Sequence, residues 1–284
     1  MAYRNGNNGK AEKAKQAKKL ADQALDSLTA ALEQGRSETL TTYLAAMARF
    51  HRYSFGNVML IASQKPDATH VAGFRTWLQL DRHVRKGEKG IVIIAPMVLK
   101  KRDGESSGDA SDGDSGENFI RFRAVHVFDI SQTDGEPLPE HASVTGDPAG
   151  HTDRLKALIA RQGIALDYSD ELGSADGSSY GGRIAIRTGL SQAEEFATLA
   201  HELAHEVLHR DAERGKLQKT VRETEAEAVA FVVCQAVGLE TNTASSDYIQ
   251  LYAGDKDTLA ASLDRIQHTA STIITAILDD ASER

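Results

Sequence analysis

The sequence predicts an α+β protein with two domains, in which N-terminal helices and a small antiparallel sheet precede a helix-rich second domain. Three observations indicate this. Apolar residues recur at helical spacing in both halves, two alternating stretches between residues 91 and 128 have the pattern of a hairpin, and a histidine-bearing helix begins near residue 191. With 284 residues, the chain is long enough for each domain to bury its own core.

The first half begins with a polar segment, residues 1–19, which we expect to be a flexible tail. The first domain is predicted to span residues 20–140 and to begin with two helices. Within it, residues 91–96 and 119–128 have the composition of two paired strands. The residues between them, about 100–118, are rich in Gly, Ser and Asp and predict a disordered acidic insertion.

The two halves of the chain differ in charge. Residues 1–150 carry 20 basic and 19 acidic side chains, and six of these acids lie between Asp103 and Glu117, so the half is at +7 without that stretch. Residues 151–284 carry 13 bases and 22 acids, a net charge of −9. Different partners are therefore expected for the two halves.

Aromatic and basic residues interleave in the first domain, a pattern typical of single-stranded nucleic-acid binding, in which aromatic rings stack on bases and cations contact phosphates. At least half of these aromatics are expected to be core residues instead. The candidate contacts are Tyr53, Phe55, Arg75, Trp77, Arg85, Lys86, Lys89, Arg121 and Arg123.

A linker at residues 141–150 is predicted to lead to the second domain, residues 151–284. Its central motif is His201-Glu202-x-x-His205. Residues four apart share one face of a helix, so both imidazoles can reach one metal ion. Ser191 and Glu194 have the spacing of a capping box that starts this helix.

A catalytic metal site needs a third protein ligand, and the following helix offers glutamates. The candidates are Glu225, which stands twenty residues after His205, and its neighbours Glu223 and Glu227. His209 is disfavoured because it lies about 12 Å from His201 along an unbroken helix, at ~1.5 Å per residue.

Three further features concern the second domain and the location of the protein. The strand at residues 183–187 is expected to be an edge strand that pairs with substrate, and Tyr180 just before it is a candidate stabiliser of the transition state. Cys234 is expected to be a small buried residue. With neither an apolar run of membrane-spanning length nor a signal peptide, the chain is expected to be cytoplasmic, without membrane contact.

Four motifs in the first domain, Tyr-Ser-Phe-Gly-Asn at 53–57, Gly-Phe-Arg-Thr-Trp at 73–77, Val-Arg-Lys-Gly-Glu-Lys-Gly at 84–90 and Val-His-Val-Phe-Asp at 125–129, resemble the N-terminal domain of ArdC-type antirestriction proteins. This resemblance implies binding of single-stranded DNA, with duplex DNA as a second candidate partner. It also implies carriage on a mobile genetic element.

The segment from Tyr180 to Val233 resembles the ImmA/IrrE-like metallopeptidases, and the position of Glu225 resembles the third ligand of gluzincins. The resemblance implies a zinc-dependent endopeptidase with one Zn²⁺ per chain, although the donor set also suits Mn²⁺ or Fe²⁺. Glu202 is then the general base. The alternative is a DNA-protecting module whose metal domain is structural or regulatory.

Overall fold

The computed structural model describes residues 6–34, 36–99, 119–136, 148, 150–210, 218–239 and 255–279. The helices are α1 (Gly6–Glu33), α2 (Ser37–Arg49), α3 (Phe55–Gln64), α4 (Phe74–Gln79), α5 (His151–Arg161), α6 (Gln192–Leu208), α7 (Lys219–Ala236) and α8 (Lys256–Leu278). The strands are β1 (Val71–Gly73), β2 (Arg82–Val84), β3 (Ile91–Leu99), β4 (Phe119–Asp129), β5 (Thr133–Gly135), β6 (Ala165–Tyr168), β7 (Gly177–Ser179) and β8 (Arg183–Ile186). The predicted α+β class is thereby confirmed.

The N-terminal sheet has the antiparallel order β1–β4–β3. The predicted hairpin is present, with Ile91 opposite Val127 and Leu99 opposite Phe119. The acidic insertion between these strands lies outside the described residues. Helix α1 begins at Gly6, so residues 6–19, expected in the flexible tail, are helical, in keeping with their content of alanine and lysine.

Side-chain amides cover the free edge of this sheet. Asn57 exchanges two hydrogen bonds of 2.9 Å with the backbone of Ile94, and Gln64 pairs with Val92 in the same way at 2.9 and 3.0 Å. Pro96, the next residue in this alternation, has no N–H to offer. This edge of β3 is therefore closed to pairing with another strand. The same hydrogen bonds hold α3 against β3.

The second domain contains a three-stranded sheet in which β8 is central, parallel to β6 and antiparallel to β7. The prediction of an edge strand at residues 183–187 is thus wrong for β8, whose both sides are paired. Ile184, Ala185 and Ile186 are all buried, so both faces of this strand are covered, as is typical of a central strand with a parallel neighbour. The edge strand beside the candidate site is β7.

The two halves of the chain share one apolar core. Helix α2 packs against α7, and buried side chains of both belong to one continuous cluster, among them Leu44 and Met47 of α2 and Val229 of α7. Helix α8 reinforces the junction, since the Gln267 amide donates to the carbonyls of His51 at 3.2 Å and of Tyr53 at 3.0 Å. Within the described ranges, no helix has both the length and the apolar character needed to cross a membrane.

Candidate metal centre

Helix α6 is set by its first turn and by its apolar face. The Ser191 hydroxyl accepts from the Glu194 amide, and the Glu194 carboxylate accepts from the Ser191 amide at 2.9 Å, which is the predicted capping box. Phe196, Leu199 and Leu203 are fully buried and anchor the helix in the core. This packing turns the histidine-bearing face towards α7.

Three side chains converge between α6 and α7: His201, His205 and Glu223. The two Nε2 atoms lie 3.1 Å apart, and Glu223 Oε2 lies 3.3 Å from His205 Nε2 and 3.6 Å from His201 Nε2. All three donor atoms fall within 4.8 Å of one another. Two imidazole nitrogens and a carboxylate oxygen in this arrangement fit the three-ligand set of an open divalent-metal site.

The structure places Glu225, the predicted third ligand, outside this cluster. Its side chain is fully buried, Oε2 lies 2.9 Å from His209 Nε2, and Oε1 contacts the Arg265 guanidinium. Because its two oxygens are engaged by His209 and Arg265, the residue that reaches His201 and His205 is Glu223. Residues two apart on a helix point about 200° from each other, so the two glutamates do not reach the same pair of histidines.

Each candidate ligand histidine has a second partner behind it. His201 Nδ1 lies 3.4 Å from Glu227 Oε2, and His205 Nδ1 lies 3.1 Å from His209 Nδ1. Neutral tautomers satisfy the second contact when His205 donates from Nδ1 to His209, and His209 donates from Nε2 to Glu225. The Nε2 atoms of His201 and His205 then face the cluster. Partners of this kind fix ring orientation in metal sites.

The charges of the cluster are strongly coupled. Burial would lower the pKa of His201, but the carboxylates of Glu223 and Glu227 raise it to about 9. Burial and the neighbouring His201 lower the pKa of His205 to about 4. The hydrogen bond with His201 lowers the pKa of Glu223 to about 2. Near neutral pH the cluster therefore consists of one imidazolium, one neutral imidazole and one carboxylate.

Glu202 lies in the wall of a cleft of about 370 Å³ that opens beside His201 and Glu223. Strand β7 passes very close to it, since a Cβ added at Gly177 would stand 2.8 Å from Glu202 Cγ and 2.6 Å from Thr198 Cγ2. Only glycine fits there without displacement. The cleft thus brings together a carboxylate, the candidate ligands and an edge strand.

Glu206 is a site residue that the sequence analysis missed. It is 3% exposed, and its carboxylate accepts from the Ser179 hydroxyl at 2.6 Å, the Gly181 amide at 2.8 Å and the Gly182 amide at 2.5 Å. It thereby ties the turn between β7 and β8 to the same helix that carries the histidines. Its spacing of four from Glu202, on one helix face, was the available signal.

Tyr180 occupies this turn but stands outside the metal cluster. The side chain is 55% exposed, and its ring lies 5.6 Å from the Arg183 guanidinium. Cys234 borders the cleft from α7 and is fully buried, as expected for a small packed residue. Burial raises the pKa of its thiol to about 12, so it is not a nucleophile near neutral pH.

The aromatics among the predicted DNA contacts belong mainly to the core. Trp77 is 1% exposed and donates from Nε1 to the Phe128 carbonyl at 2.9 Å, and Phe55 is buried as well. Tyr53 is half-buried and donates its hydroxyl to the Val71 carbonyl. Trp77 and Phe55 therefore offer no ring face for stacking.

The basic residues of that set are exposed, with different surroundings. Arg85 is tied to Glu88 at 3.0 Å and to Asp134 at 3.4 Å. Arg75, Lys86, Lys89 and Arg123 lie at the surface, and the side chain of Arg121 lies outside the described residues.

Comparison with known proteins agrees with this architecture. The family model for the N-terminal domain of anti-restriction factor ArdC matches residues 14–128, and that for the IrrE N-terminal-like domain, a peptidase M78 family, matches residues 160–236. An uncharacterized protein of Bacillus anthracis, pXO2-81, is 27% identical, in an alignment that covers 84% of this chain. The aligned region is 47% of that relative, so the chain spans about half its length.

Two solved structures of the antirestriction protein ArdC from plasmid R388 share the fold. The metal-free form has a TM-score of 0.54 and 19% identity, covering 91% of this chain and 97% of its own. The Mn(II)-bound form has a TM-score of 0.54 and 20% identity, covering 93% and 99%. The chain thus joins an ArdC-type N-terminal domain to an IrrE N-terminal-like domain, and it resembles the ArdC antirestriction protein in overall fold.

Proposed function

We propose that the second domain is a metal-dependent peptidase. The observation that carries the proposal is the position of Glu202 in the cleft beside the convergent donors of His201, His205 and Glu223. Two imidazoles and one carboxylate suit Zn²⁺, and Mn²⁺ or Fe²⁺ is also compatible with this set. The Mn(II)-bound form of the R388 relative supports a divalent ion of this class.

The reaction needs a proton acceptor and a place for the substrate. His201, His205 and Glu223 would hold a divalent ion, which would supply Lewis-acid chemistry for the scissile carbonyl and for a water molecule whose pKa would fall towards about 7. Glu202 accepts the proton of the attacking water and passes it to the leaving amine. The Glu202 side chain is 7% exposed and packs against Gly177, which holds its carboxylate at the wall of the cleft.

Strand β7 is the proposed docking edge for the substrate. In the described sheet it pairs with β8 on one side only, and Gly177 at its start borders the cleft. An extended peptide that pairs with this edge would run along β7, with its backbone carbonyls close to Glu202. Tyr180, exposed at the end of β7, is a proposed hydrogen-bond donor to the developing oxyanion.

The test compares the wild type with four variants by metal content and by hydrolysis of an internally quenched peptide library. Glu202→Gln is expected to keep about one metal ion per chain and to lose hydrolysis, whereas His201→Ala loses both. Glu223→Gln is expected to resemble His201→Ala, and Glu225→Gln to retain the metal. Hydrolysis that persists in a metal-loaded Glu202→Gln protein would refute the assigned role of Glu202.

A second function, binding of single-stranded DNA, is proposed for the first domain. It is supported by the match to the ArdC N-terminal domain over residues 14–128 and by the charge of +7 that residues 1–150 carry outside Asp103–Glu117. Affinity for a labelled oligonucleotide is expected to fall steeply with salt. Binding that is indifferent to salt, or absent, would reject this function.

The two functions separate experimentally. A protein whose metal domain is only structural or regulatory binds DNA and shows no hydrolysis even when loaded with metal. In the favoured case, a chelator abolishes hydrolysis and leaves DNA binding intact. Protection of incoming DNA in an antirestriction role, carriage on a mobile element and a cytoplasmic location remain predictions from the sequence.

A further inference from the structure

A groove of about 1020 Å³ lies between α1, the connection from α2 to α3, and strands β3 and β4. Its floor is apolar and consists of β3 residues from Ile93 to Pro96. Cations stand at its rim: Lys15 and Lys18 on α1, and Arg52 in the connection from α2 to α3. None of the described residues that line it is acidic.

Phe122 projects into this groove from β4, where it is paired with Pro96 of β3. It is 65% exposed, the largest exposed fraction among the large hydrophobic side chains of the described residues. A phenylalanine exposed this far leaves most of its ring surface in water, a cost that binding of a flat apolar partner removes. The opposite wall is fixed, because Tyr53 is held by its bond to the Val71 carbonyl at 3.2 Å and by edge-on packing against Phe50.

The three cations at the rim are placed to bind an anionic ligand. Lys15 and Lys18 are exposed and three residues apart, so they lie on one face of α1. The Arg52 side chain is 69% exposed, and its ion pair with Asp279, at 2.7 Å, is itself open to solvent. Such an exposed pair contributes little, so the guanidinium can exchange this partner for a phosphate.

We propose that this groove is the single-stranded DNA site of the first domain, with a base stacked on Phe122 and phosphates held by Lys15, Lys18 and Arg52. The proposal rests on the DNA-binding function proposed above and assigns it to residues that differ from those the sequence singled out. A ring lying over an apolar floor needs an unstacked base, which favours a single strand over a duplex. Three cations with no acid among the lining residues favour a polyanion over an apolar peptide.

The experiment measures the anisotropy of a fluorescein-labelled oligothymidylate of about 16 nucleotides with the full chain, over a range of salt concentrations. Phe122→Ala is expected to weaken binding by about tenfold, and Phe122→Tyr to restore it. The matched control is Phe74→Ala, which removes another exposed phenylalanine, 51% exposed, outside the groove. That control is expected to bind as the wild type does.

The charge arm compares two double variants. Lys15→Gln with Lys18→Gln is expected to reduce the slope of log Kd against log salt by about 1.4, at ~0.7 per phosphate contact on a single strand. Lys86→Gln with Lys89→Gln removes two of the candidate contacts named from the sequence, which do not line the groove, and is expected to change the slope less than the Lys15/Lys18 pair does. The result that overturns the groove assignment is the reverse pattern between these two pairs.

The outcomes distinguish the groove from the function itself. If the wild type does not bind the oligonucleotide, the DNA-binding function fails. If the wild type binds and both the Phe122 and the Lys15/Lys18 variants bind equally well, the function stands and the groove is wrong. Loss in Phe122→Ala with a salt slope near zero would identify an apolar partner and would also overturn the proposal.

Discussion

His209 Nε2 lies 2.9 Å from Glu225 Oε2, and both side chains are almost completely buried. This contact joins α6 to α7, and the Arg265 guanidinium on the other carboxylate oxygen extends it to α8. At its other end, His209 Nδ1 faces Nδ1 of His205, whose Nε2 belongs to the candidate metal cluster. Glu225 therefore supports the ring of His205 through His209, without reaching the candidate metal position itself.

Glu225→Gln tests this supporting role. The amide keeps the shape but loses the charge that His209 and Arg265 share, so we expect the free energy of unfolding of the metal-free protein to fall by about 1–3 kcal/mol. Metal affinity should weaken by about 10–100-fold while the stoichiometry stays near one. Urea unfolding and calorimetric metal titration measure the two effects.

The matched variant is Glu223→Gln. Because the Glu223 side chain is half exposed, the metal-free protein is expected to unfold at nearly the same urea concentration as the wild type, while metal binding is lost. Loss of metal in Glu225→Gln together with full retention in Glu223→Gln would reverse the assignment of the two glutamates.

Metal binding is expected to release protons in a pH-dependent number. The pKa of His201 is raised to about 9, and that of His205 is lowered to about 4, so between these values only His201 carries a proton that the metal must displace. About one proton should be released near pH 7, and the apparent affinity should rise about tenfold per pH unit until it levels off above pH 9. Calorimetry in buffers of different ionisation enthalpy counts the protons, and release of two protons at pH 7 would contradict this assignment.

Gly177→Ala probes the approach of β7 to the carboxylate of Glu202, the proposed general base. A methyl group there would stand 2.6 Å from Thr198 Cγ2 and 2.8 Å from Glu202 Cγ, so either β7 or Glu202 must move. We expect hydrolysis to fall by at least tenfold, with the metal content unchanged. Gly150→Ala is the control, because its added methyl group meets no atom within 4 Å, and its activity should remain that of the wild type.

Glu206→Gln tests the tie between α6 and the β7–β8 turn. Although burial opposes it, the hydrogen bonds from Ser179, Gly182 and Gly181 lower the pKa of Glu206. A lowered folded-state pKa contributes stability that is fully present above the unfolded value near 4.5 and is lost as the pH falls through the folded value. The wild type should therefore be the more stable protein near pH 7, and the difference in urea midpoint should shrink below pH 4.5. A constant difference down to pH 2 would contradict the proposed origin.

The motif helix could be predicted in detail because its determinants are local. Ser191 and Glu194 form the cap, and the spacing of His201 and His205 alone puts both on one face. The third ligand could not be chosen in this way. Glu223 and Glu225 point in different directions from α7, and which of them reaches His201 and His205 is decided by how the two helices pack, which the sequence spacing does not contain.

The same limit applies to the DNA-binding candidates. Phe122 stands between two arginines in the sequence, and Trp77 follows Arg75 by two residues. Trp77 is nevertheless buried, whereas Phe122 is the most exposed aromatic residue described. The alternation along β4 does not reveal which face the helices cover. Likewise the sequence of β8 does not tell whether the strand lies at an edge, and the positions of β6 and β7 on either side make it central.

Helix α8 makes the two halves of this chain interdependent. Its Arg265 contacts Glu225, which lies behind the candidate metal cluster. Two residues further along, Gln267 donates to the backbone carbonyls of His51 and Tyr53 beside the groove. A fragment cut at the predicted linker would leave the α2 surface around Leu44 and Met47 bare to water. The two sequence families in this chain therefore do not fold as independent units, and the first domain is expected to be insoluble when it is expressed without the second.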